Sequence, residues 1–167
     1  MTNTNMPTAD LTTPLGRAIA FIWQEAEILD RKDYNAWGAL WAEDGYYVVP
    51  IDPDTEDFAS TLNYAYDDAR MRQLRIERFN SGFSMSAADS AITVRTVSRF
   101  THVGTEGNVI EVKAAQLLAA YKRGATTLFA GNVTYRVRMT DAGPTLLQKV
   151  VRLVNSQDAL NALGFLL

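Results

Sequence analysis

The second half of this 167-residue chain is a series of long segments with strand-type alternation, and this series limits the possible fold more than any other feature. Apolar and polar side chains alternate over residues 92–102, 109–121, 127–140 and 146–154, with turn-forming sequences between them. No helical periodicity separates these segments, so βαβ crossovers are not expected. The pattern predicts a mostly antiparallel sheet that is too long to lie flat and therefore twists and curls.

Helices are predicted before the sheet. Thr13-Pro14 is a typical helix start, with threonine as N-cap and proline in the first turn, and apolar residues follow at helical spacing as far as Leu29. Asp33 is expected to cap a second helix that ends at Gly45. Helices followed by hairpins predict an α+β fold. The architecture expected is a cystatin-like cone of the nuclear-transport-factor-2 (NTF2) or ketosteroid-isomerase type, with the N-terminal helices packed on a curved sheet.

The remaining segments are assigned from local composition. We expect a short strand over residues 46–50, a surface loop over 51–66 and a short helix over 67–79. Residues 1–12 have no apolar periodicity and are expected to form a flexible N-terminal tail, which leaves 13–167 as a single domain.

Composition restricts the chemistry that the chain can perform. It has no cysteine and one histidine, His102. A Rieske cluster requires two cysteines and two histidines, and a mononuclear non-haem iron site normally requires two histidines and a carboxylate, so the chain alone can build neither. The net charge of −3 argues against nucleic-acid binding, and no apolar run approaches the roughly 18 residues of a membrane span. We expect a cytoplasmic protein.

Charge is unevenly distributed along the chain. Residues 1–60 contain 3 basic and 11 acidic groups, whereas residues 61–167 contain 13 basic and 8 acidic groups. Either the two halves neutralise one another inside one fold, or the chain assembles through complementary charges. If the polar parity of the strands lies on the outer face of the sheet, the interface candidates are its arginines and the apolar end of the chain: Arg95, Arg99, Arg136, Arg138, Phe165, Leu166 and Leu167.

A cone usually encloses a cavity, in which polar residues could perform acid–base chemistry. Asp44 or His102 could act as a general base, and Tyr46 could donate a hydrogen bond to an oxyanion. Asp44 precedes a glycine at a predicted helix end, where an exposed aspartate is common. His102 shares the strand parity of Val94 and Phe100, which predicts a packed or rim position, and no second metal ligand lies at ligand spacing from it.

Several local sequences resemble the small (β) subunits of bacterial aromatic-ring-hydroxylating dioxygenases, in the order and spacing of that family. They span residues 15–167 nearly end to end: Glu25-Ala26-Glu27-Ile28-Leu29-Asp30, Leu40-Trp41-Ala42-Glu43-Asp44-Gly45-Tyr46-Tyr47-Val48-Val49-Pro50, Tyr66-Asp67-Asp68, Leu74-Arg75-Ile76-Glu77-Arg78, Leu128-Phe129-Ala130-Gly131 and Phe165-Leu166-Leu167.

The resemblance implies a structural small subunit that has no catalytic residue, cofactor site or metal site of its own. It implies a large subunit that holds a Rieske [2Fe-2S] cluster and a mononuclear Fe(II), and NAD(P)H that supplies electrons through a reductase. The implied assembly is a hexamer of three large and three small subunits (α3β3), in which the small subunits form a trimer. The implied reaction is the hydroxylation of an aromatic compound.

Two other classes of function remain open at this point. One is a stand-alone cavity enzyme of the ketosteroid isomerase or dehydratase type that uses Asp44 or His102. The other is a non-enzymatic cone that holds a small apolar ligand.

Overall fold

In a computed structural model that describes residues 10–81, 90–158 and 163–167, helices pack on a curved six-stranded sheet, which confirms the α+β cone. The expected tail falls largely on residues 1–9, outside the described residues. The described elements are α1 (Pro14–Asp30), α2 (Tyr34–Ala39), β1 (Trp41–Pro50), β2 (Asn63–Asp67), α3 (Ala69–Asn80), β3 (Ile92–Glu106), β4 (Val109–Lys122), β5 (Ala125–Thr140) and β6 (Gly143–Leu153).

The sheet is mostly antiparallel, as predicted. Its strand order is β2-β1-β6-β5-β4-β3, and only the β1–β6 pair is parallel among the described strands. One face of the sheet, here called the inner face, packs against the helices and carries most of the core. The other, outer face is convex. Strand β3 is an edge strand, so its outward-pointing main-chain groups need partners.

Helix α1 supplies those partners. It begins as predicted, with the Thr13 hydroxyl accepting the Gly16 N–H, and runs along β3. The Trp23 indole donates to the Val97 carbonyl at 3.0 Å, and the Asp30 carboxylate accepts the Arg95 main-chain N–H at 2.8 Å. Side chains of α1 therefore cap the edge of the sheet and hold the helix in place.

The second helix is shorter than predicted. It begins at the Asp33 cap but ends at Ala39, and β1 begins at Trp41. The reason is that Trp41 pairs with Leu146 of β6, and a register shift between Trp41 and Tyr46 accommodates the intervening residues. Gly45 does not end a helix. It lets two strands approach closely, because a Cβ there would lie 2.9 Å from the Leu146 carbonyl oxygen.

The loop prediction for residues 51–66 was partly wrong, because β2 begins at Asn63 and extends the sheet beside β1. The segment before it lies against β6: Arg152 donates to the main-chain oxygens of Pro53 and Thr55 at 2.9 and 2.8 Å and stacks over Phe58. A short edge strand was missed because its Asn-Tyr-Ala-Tyr-Asp sequence has only one aliphatic residue.

The faces of β3 are the reverse of those expected. Thr93 and Arg95 are buried on the inner face, whereas Ile92 and Val94 are 65% and 66% exposed on the outer face. The pairing register shifts beyond Ser98, where Arg99 adopts a φ of 54°, so Phe100 turns back toward the core. The parity assigned from sequence was therefore wrong for the first half of the strand.

The uneven charge of the two halves is partly neutralised within the fold. Four ion pairs join an acid from residues 1–60 to a base from residues 61–167. In two of these pairs both side chains are at least partly buried. The four pairs are Glu25–Lys149, Asp30–Arg95, Asp44–Arg138 and Glu56–Arg152.

Two arginines of α3 point inward and fasten this helix to the sheet. Arg75 forms a bidentate pair with the buried Asp67 carboxylate at 2.5 and 2.9 Å. Arg72 donates to the main-chain oxygens of Gly45 and Ala42 and lies 4.4 Å above the Trp41 ring. The irregular part of β1 is thus stabilised by a cation that satisfies its free carbonyl groups.

We expect Asp67→Asn to lower the free energy of unfolding by about 3 kcal/mol, because it leaves a largely buried guanidinium without its counter-charge. Chemical denaturation measures this loss. The matched control is Glu27→Gln, which breaks an exposed pair with Arg31 at 3.6 Å and should change stability by less than about 0.5 kcal/mol. Equal effects of the two substitutions would contradict the structural role assigned to Asp67.

Candidate functional site

The inner face carries a row of polar side chains in the middle of the apolar core. Tyr47 on β1, Lys149 on β6 and Tyr135 on β5 pair in register across three neighbouring strands, and all three are buried. Because residues in register share a face, these side chains meet beneath the helices. Buried polar groups need partners inside the protein, so the partners of this row define what the interior can do.

Glu25 of α1 is the main partner. Its side chain is fully buried, and Oε1 accepts hydrogen bonds from Lys149 Nζ at 2.7 Å and from the Trp37 indole at 2.9 Å. Two opposite charges without solvent contact are stable only when they are paired and hydrogen-bonded. The pair therefore fixes α1 over the centre of the sheet.

The last residues of the sequence are hydrogen-bonded to this cluster. Lys149 also donates to the Leu167 main-chain oxygen at 2.9 Å, and the Leu167 N–H donates to the Tyr47 hydroxyl at 3.2 Å. Arg95 donates to the Leu166 carbonyl at 3.1 Å. Residues 166 and 167 are thus held by main-chain hydrogen bonds to side chains from three strands.

The same segment, residues 163–167 and here called the end segment, also fills the cone with apolar side chains. Phe165, Leu166 and Leu167 are buried, and the Phe165 ring lies edge-on to Phe129 with centroids 5.6 Å apart. All three belong to the main hydrophobic core. The end segment is therefore part of the core beneath the helices.

Burial changes the acid–base properties of the interior. It lowers the pKa of Lys149, against the opposing effect of Glu25, and it raises the pKa of Tyr135 well above its ordinary value, with Glu25 adding to the rise. Among the described residues, the Tyr135 hydroxyl has no hydrogen-bond partner. Beside this phenol, Glu25 Oε1 accepts hydrogen bonds from Lys149 and Trp37, whereas Glu25 Oε2 is buried and has no partner in the same part of the chain. The carboxylate is thus held in place through Oε1.

Asp44 and Tyr46 lie outside this interior. The Asp44 carboxylate forms a bidentate, solvent-exposed pair with Arg138 at 2.9 and 2.8 Å, and these hydrogen bonds lower its pKa. Tyr46 is partly exposed and stacks on Tyr66 with ring centroids 5.2 Å apart. Both residues alternate with the buried Tyr47 and so lie on the opposite face.

His102 is exposed on β3, where Nε2 lies 2.9 Å from the Thr105 hydroxyl oxygen. This exposure excludes the packed position that was one of the two expected from its strand parity, and the rim position stays a prediction. The structure does not bring Asp44, Tyr46 and His102 together in the cone. A catalytic group made from these three residues has no geometric support.

Four of the seven interface candidates are buried within the chain, which corrects their expected placement on the surface. Arg95 lies on the inner face, where Nε pairs with Asp30 at 2.9 Å. Phe165, Leu166 and Leu167 are covered by the cone itself. The sequence reasoning failed because it assumed that every polar side chain of β3 points outward and that the apolar end of the chain needs a second molecule to cover it.

The other three candidates do lie on the outer side of the sheet. Arg99 donates to Asn132 at 2.6 Å, and Arg136 lies 3.9 Å from Glu111. Arg138 has its counter-charge in Asp44. An interface role for Arg99, Arg136 and Arg138 stays a prediction.

Glu25 and Lys149 were missed by sequence reasoning. Glu25 had a detectable signal, because it falls at helical spacing on the same apolar face of α1 as Ile22 and Leu29. A charged residue at such a position predicts a buried partner. Lys149 had no comparable signal. Polar and apolar residues do not alternate regularly along β6, so the sequence does not show which face Lys149 lies on.

No helix among the described residues is long and apolar enough to cross a membrane. Within the same part of the chain, no three acidic or histidine side chains cluster in an arrangement that could hold a metal ion.

The fold is that of known cone-shaped proteins. An NTF2-like protein with a cystatin-like fold from Novosphingobium aromaticivorans aligns with 87% of this chain and 84% of its own, with a TM-score of 0.62 and 17% identity. The beta subunit of benzoate 1,2-dioxygenase from Burkholderia mallei aligns with 96% of this chain and all of its own, with a TM-score of 0.76 and 20% identity.

Sequence comparison identifies the family. The model of the ring-hydroxylating beta subunit family matches residues 24–158, and the chain therefore belongs to this family. A curated relative is the small oxygenase component of the p-cumate 2,3-dioxygenase system of Pseudomonas putida, 28% identical over 130 residues that cover 77% of this chain and 72% of the relative. Members are small subunits of multicomponent aromatic-ring dioxygenases, which work within an enzyme complex and partner with an alpha subunit.

The end segment should be essential for the stability of the single chain. Leu166→Ala should lower the free energy of unfolding by about 2–5 kcal/mol, because it creates a cavity beside buried polar groups. Denaturant titration measures the change. Val154→Ala, at a side chain that is 74% exposed, is the control and should cost less than about 0.5 kcal/mol. If Leu166→Ala were equally mild, the end segment would not be packed in the cone.

Stability should fall in alkali because of the buried tyrosines. Burial raises the pKa of Tyr135 and of Tyr47, so above about pH 10 the unfolded chain releases phenolic protons that the folded chain keeps. Each such tyrosine lowers the free energy of unfolding by up to about 1.4 kcal/mol per pH unit there. Tyr135→Phe should therefore lose less stability than wild type between about pH 10 and 11.

The control for this pH profile is Tyr66→Phe, at an exposed ring, which should keep the wild-type slope. Lys149 contributes equally to wild type and both variants and cancels in the comparison. A Tyr135→Phe profile parallel to that of wild type would show that the hydroxyl is accessible to solvent.

Proposed function

We propose that this chain is a structural subunit of a three-fold α3β3 dioxygenase and that all redox chemistry takes place on the large subunit. In this proposal the large subunit binds a Rieske [2Fe-2S] cluster and a mononuclear Fe(II), and NAD(P)H supplies electrons through a reductase in the cytoplasm. The small subunits form a trimer that supports three large subunits. The reaction of the complex is the hydroxylation of an aromatic compound, the class of substrate named for the p-cumate relative and the benzoate neighbour.

The occupied cone is the observation that carries the structural role. Interior polar groups hold other parts of the chain in place: Glu25 Oε1 binds Lys149 and Trp37, and Lys149 and Tyr47 bind Leu167. A substrate would have to displace the buried side chains of Phe165, Leu166 and Leu167. These contacts favour a scaffold over a stand-alone cavity enzyme or a ligand-binding cone.

Ligand chemistry supports the assignment of iron to the partner. A chain with no cysteine and one histidine lacks the thiolate and imidazole ligands of both iron sites. Its role must therefore be exerted through surfaces, by fixing the arrangement of large subunits. Activity of the complex should depend on assembly, and a polar group of the small subunit should affect activity only through folding or assembly.

The test uses the complex reconstituted from the large subunit, its electron donors and this chain carrying either His102→Gln or Tyr135→Phe. Both variants should keep kcat for an aromatic substrate within about three-fold of wild type, since a general acid or base would be worth roughly 10²–10⁴-fold. Each removes the acid–base group with little change in shape. Iron content and subunit stoichiometry, measured on the same samples, show that the complexes compared are intact.

A loss of a hundred-fold or more in an intact, iron-replete complex would overturn the structural role. Failure of this chain to co-purify with an iron-containing large subunit would overturn the proposed assembly.

A further inference from the structure

One part of the sheet has large apolar side chains on its outer, exposed face. In β3 the outer face carries Ile92 and Val94 while the inner face carries Thr93 and Arg95, although an antiparallel sheet with one covered face normally places apolar residues inward. The inner polar groups are compensated, because Asp30 binds both the Thr93 hydroxyl and the Arg95 side chain at 2.9 Å. The outer apolar groups have no comparable compensation within the described residues.

The neighbouring strands continue this feature. Tyr121 pairs with Ile92 in register, and Leu128 and Val94 both pair with Ala119 from opposite sides. Leu117 lies two residues from Ala119 on the same face. The resulting surface, here called the outer patch, spans β3, β4 and β5, and its large side chains are all 50–66% exposed: Ile92, Val94, Leu117, Tyr121 and Leu128.

The size of the outer patch indicates an interface. Five large side chains at this exposure offer on the order of 500 Å² of mostly apolar surface, which is in the range of patches that mark interaction sites. A stable contact buries about 800 Å² per partner, so the outer patch alone would supply most of one. It is also the part of the described sheet where three adjacent strands expose large apolar residues in register.

Charge and shape indicate which partner covers it. None of the five side chains carries a charge, so copies of the patch can meet without like-charge repulsion. The outer face is convex, and a convex surface can contact two neighbours at once. Residues close to a three-fold axis meet their own equivalents in both neighbouring copies, so a single apolar patch can serve all three.

This chain has a second exposed apolar surface, which the large subunit could contact. Met71 and Leu74 are exposed one turn apart on α3, on the helical side of the molecule and away from the outer patch. Burial of the outer patch between copies therefore leaves a separate surface for the large partner.

We infer that the outer patch is the contact between copies of this chain and lies at the axis of the trimer. This inference rests on the proposed three-fold assembly and assigns the face that forms it. The inner face of each copy binds its own helices and end segment, and the outer face binds two neighbouring copies.

The test compares single substitutions in the outer patch with matched substitutions elsewhere. Val94→Asp and Leu117→Asp place a charge in the patch, whereas Leu74→Asp on α3 and Val154→Asp after β6 place the same charge at exposed apolar positions outside it. The mass of each protein is measured by light scattering over a dilution series, both for this chain alone and for the complex with the large subunit. Circular dichroism and thermal unfolding show whether each variant folds.

The wild-type chain and both controls should have the mass of three copies, and the two patch variants should be folded monomers with self-association at least 100-fold weaker. Val94→Thr, a nearly isosteric change, should weaken self-association by about ten-fold and serves as the second variant if an aspartate prevents folding. In the complex, the patch variants should give one large and one small subunit in place of three of each.

The inference is overturned if Val94→Asp and Leu117→Asp keep the trimer. It is also overturned if they lose the large subunit while the trimer of small subunits remains, because the patch then binds the large partner. A wild-type chain that forms the trimer through this patch but binds no large subunit would uphold the inference and contradict the proposed function. A wild-type chain that is monomeric alone and in the complex would contradict both.

Discussion

The buried ion pair between Glu25 and Lys149 is the contact on which the arrangement of the cone depends. It joins α1 to the centre of the sheet, and Lys149 connects the same charge cluster to the end segment through the Leu167 main-chain oxygen. Desolvation of two charges is expensive, and here their pairing offsets it together with the hydrogen bonds from the Trp37 indole and to the Leu167 main-chain oxygen. Three parts of the chain that are far apart in sequence must therefore be in place together, which makes the packing of the helices and of the end segment cooperative.

The same requirement commits polar groups of the interior to holding the structure together. Enzymes need polar groups that are held in place yet free to contact a substrate. Here the lysine, the carboxylate and one tyrosine are used to hold α1 and the end segment, and Phe165, Leu166 and Leu167 are buried in the same core. The same architecture can serve other functions when its interior is open, since function depends on the site and not on the fold. In this chain the interior polar groups support the structure, which is the basis of the proposed structural role.

Sequence patterns predicted the fold class, the start of α1 at Thr13, the long hairpins and the family, because each follows from local signals. The end of α2, strand β2 and the faces of β3 were not predictable in the same way. Trp41 joins a strand because β6 offers a pairing edge, and Ile92 points outward because Asp30 can satisfy Arg95 inside. These outcomes depend on contacts with residues that are distant in sequence. Local strand or helix propensity does not contain this information.

The reversed polarity of β3 connects the interior of the chain to its assembly. A one-residue change of register would return Ile92 and Val94 to the core, but it would also expel Arg95 from its contacts with Asp30 and with the Leu166 carbonyl. The interior polar cluster therefore fixes which face of β3 points outward. Because that face is fixed, the apolar side chains of the outer patch cannot turn into the core. The hydrophobic effect therefore favours their contact with another molecule. The polar network inside each copy thus determines the apolar surface through which copies would associate.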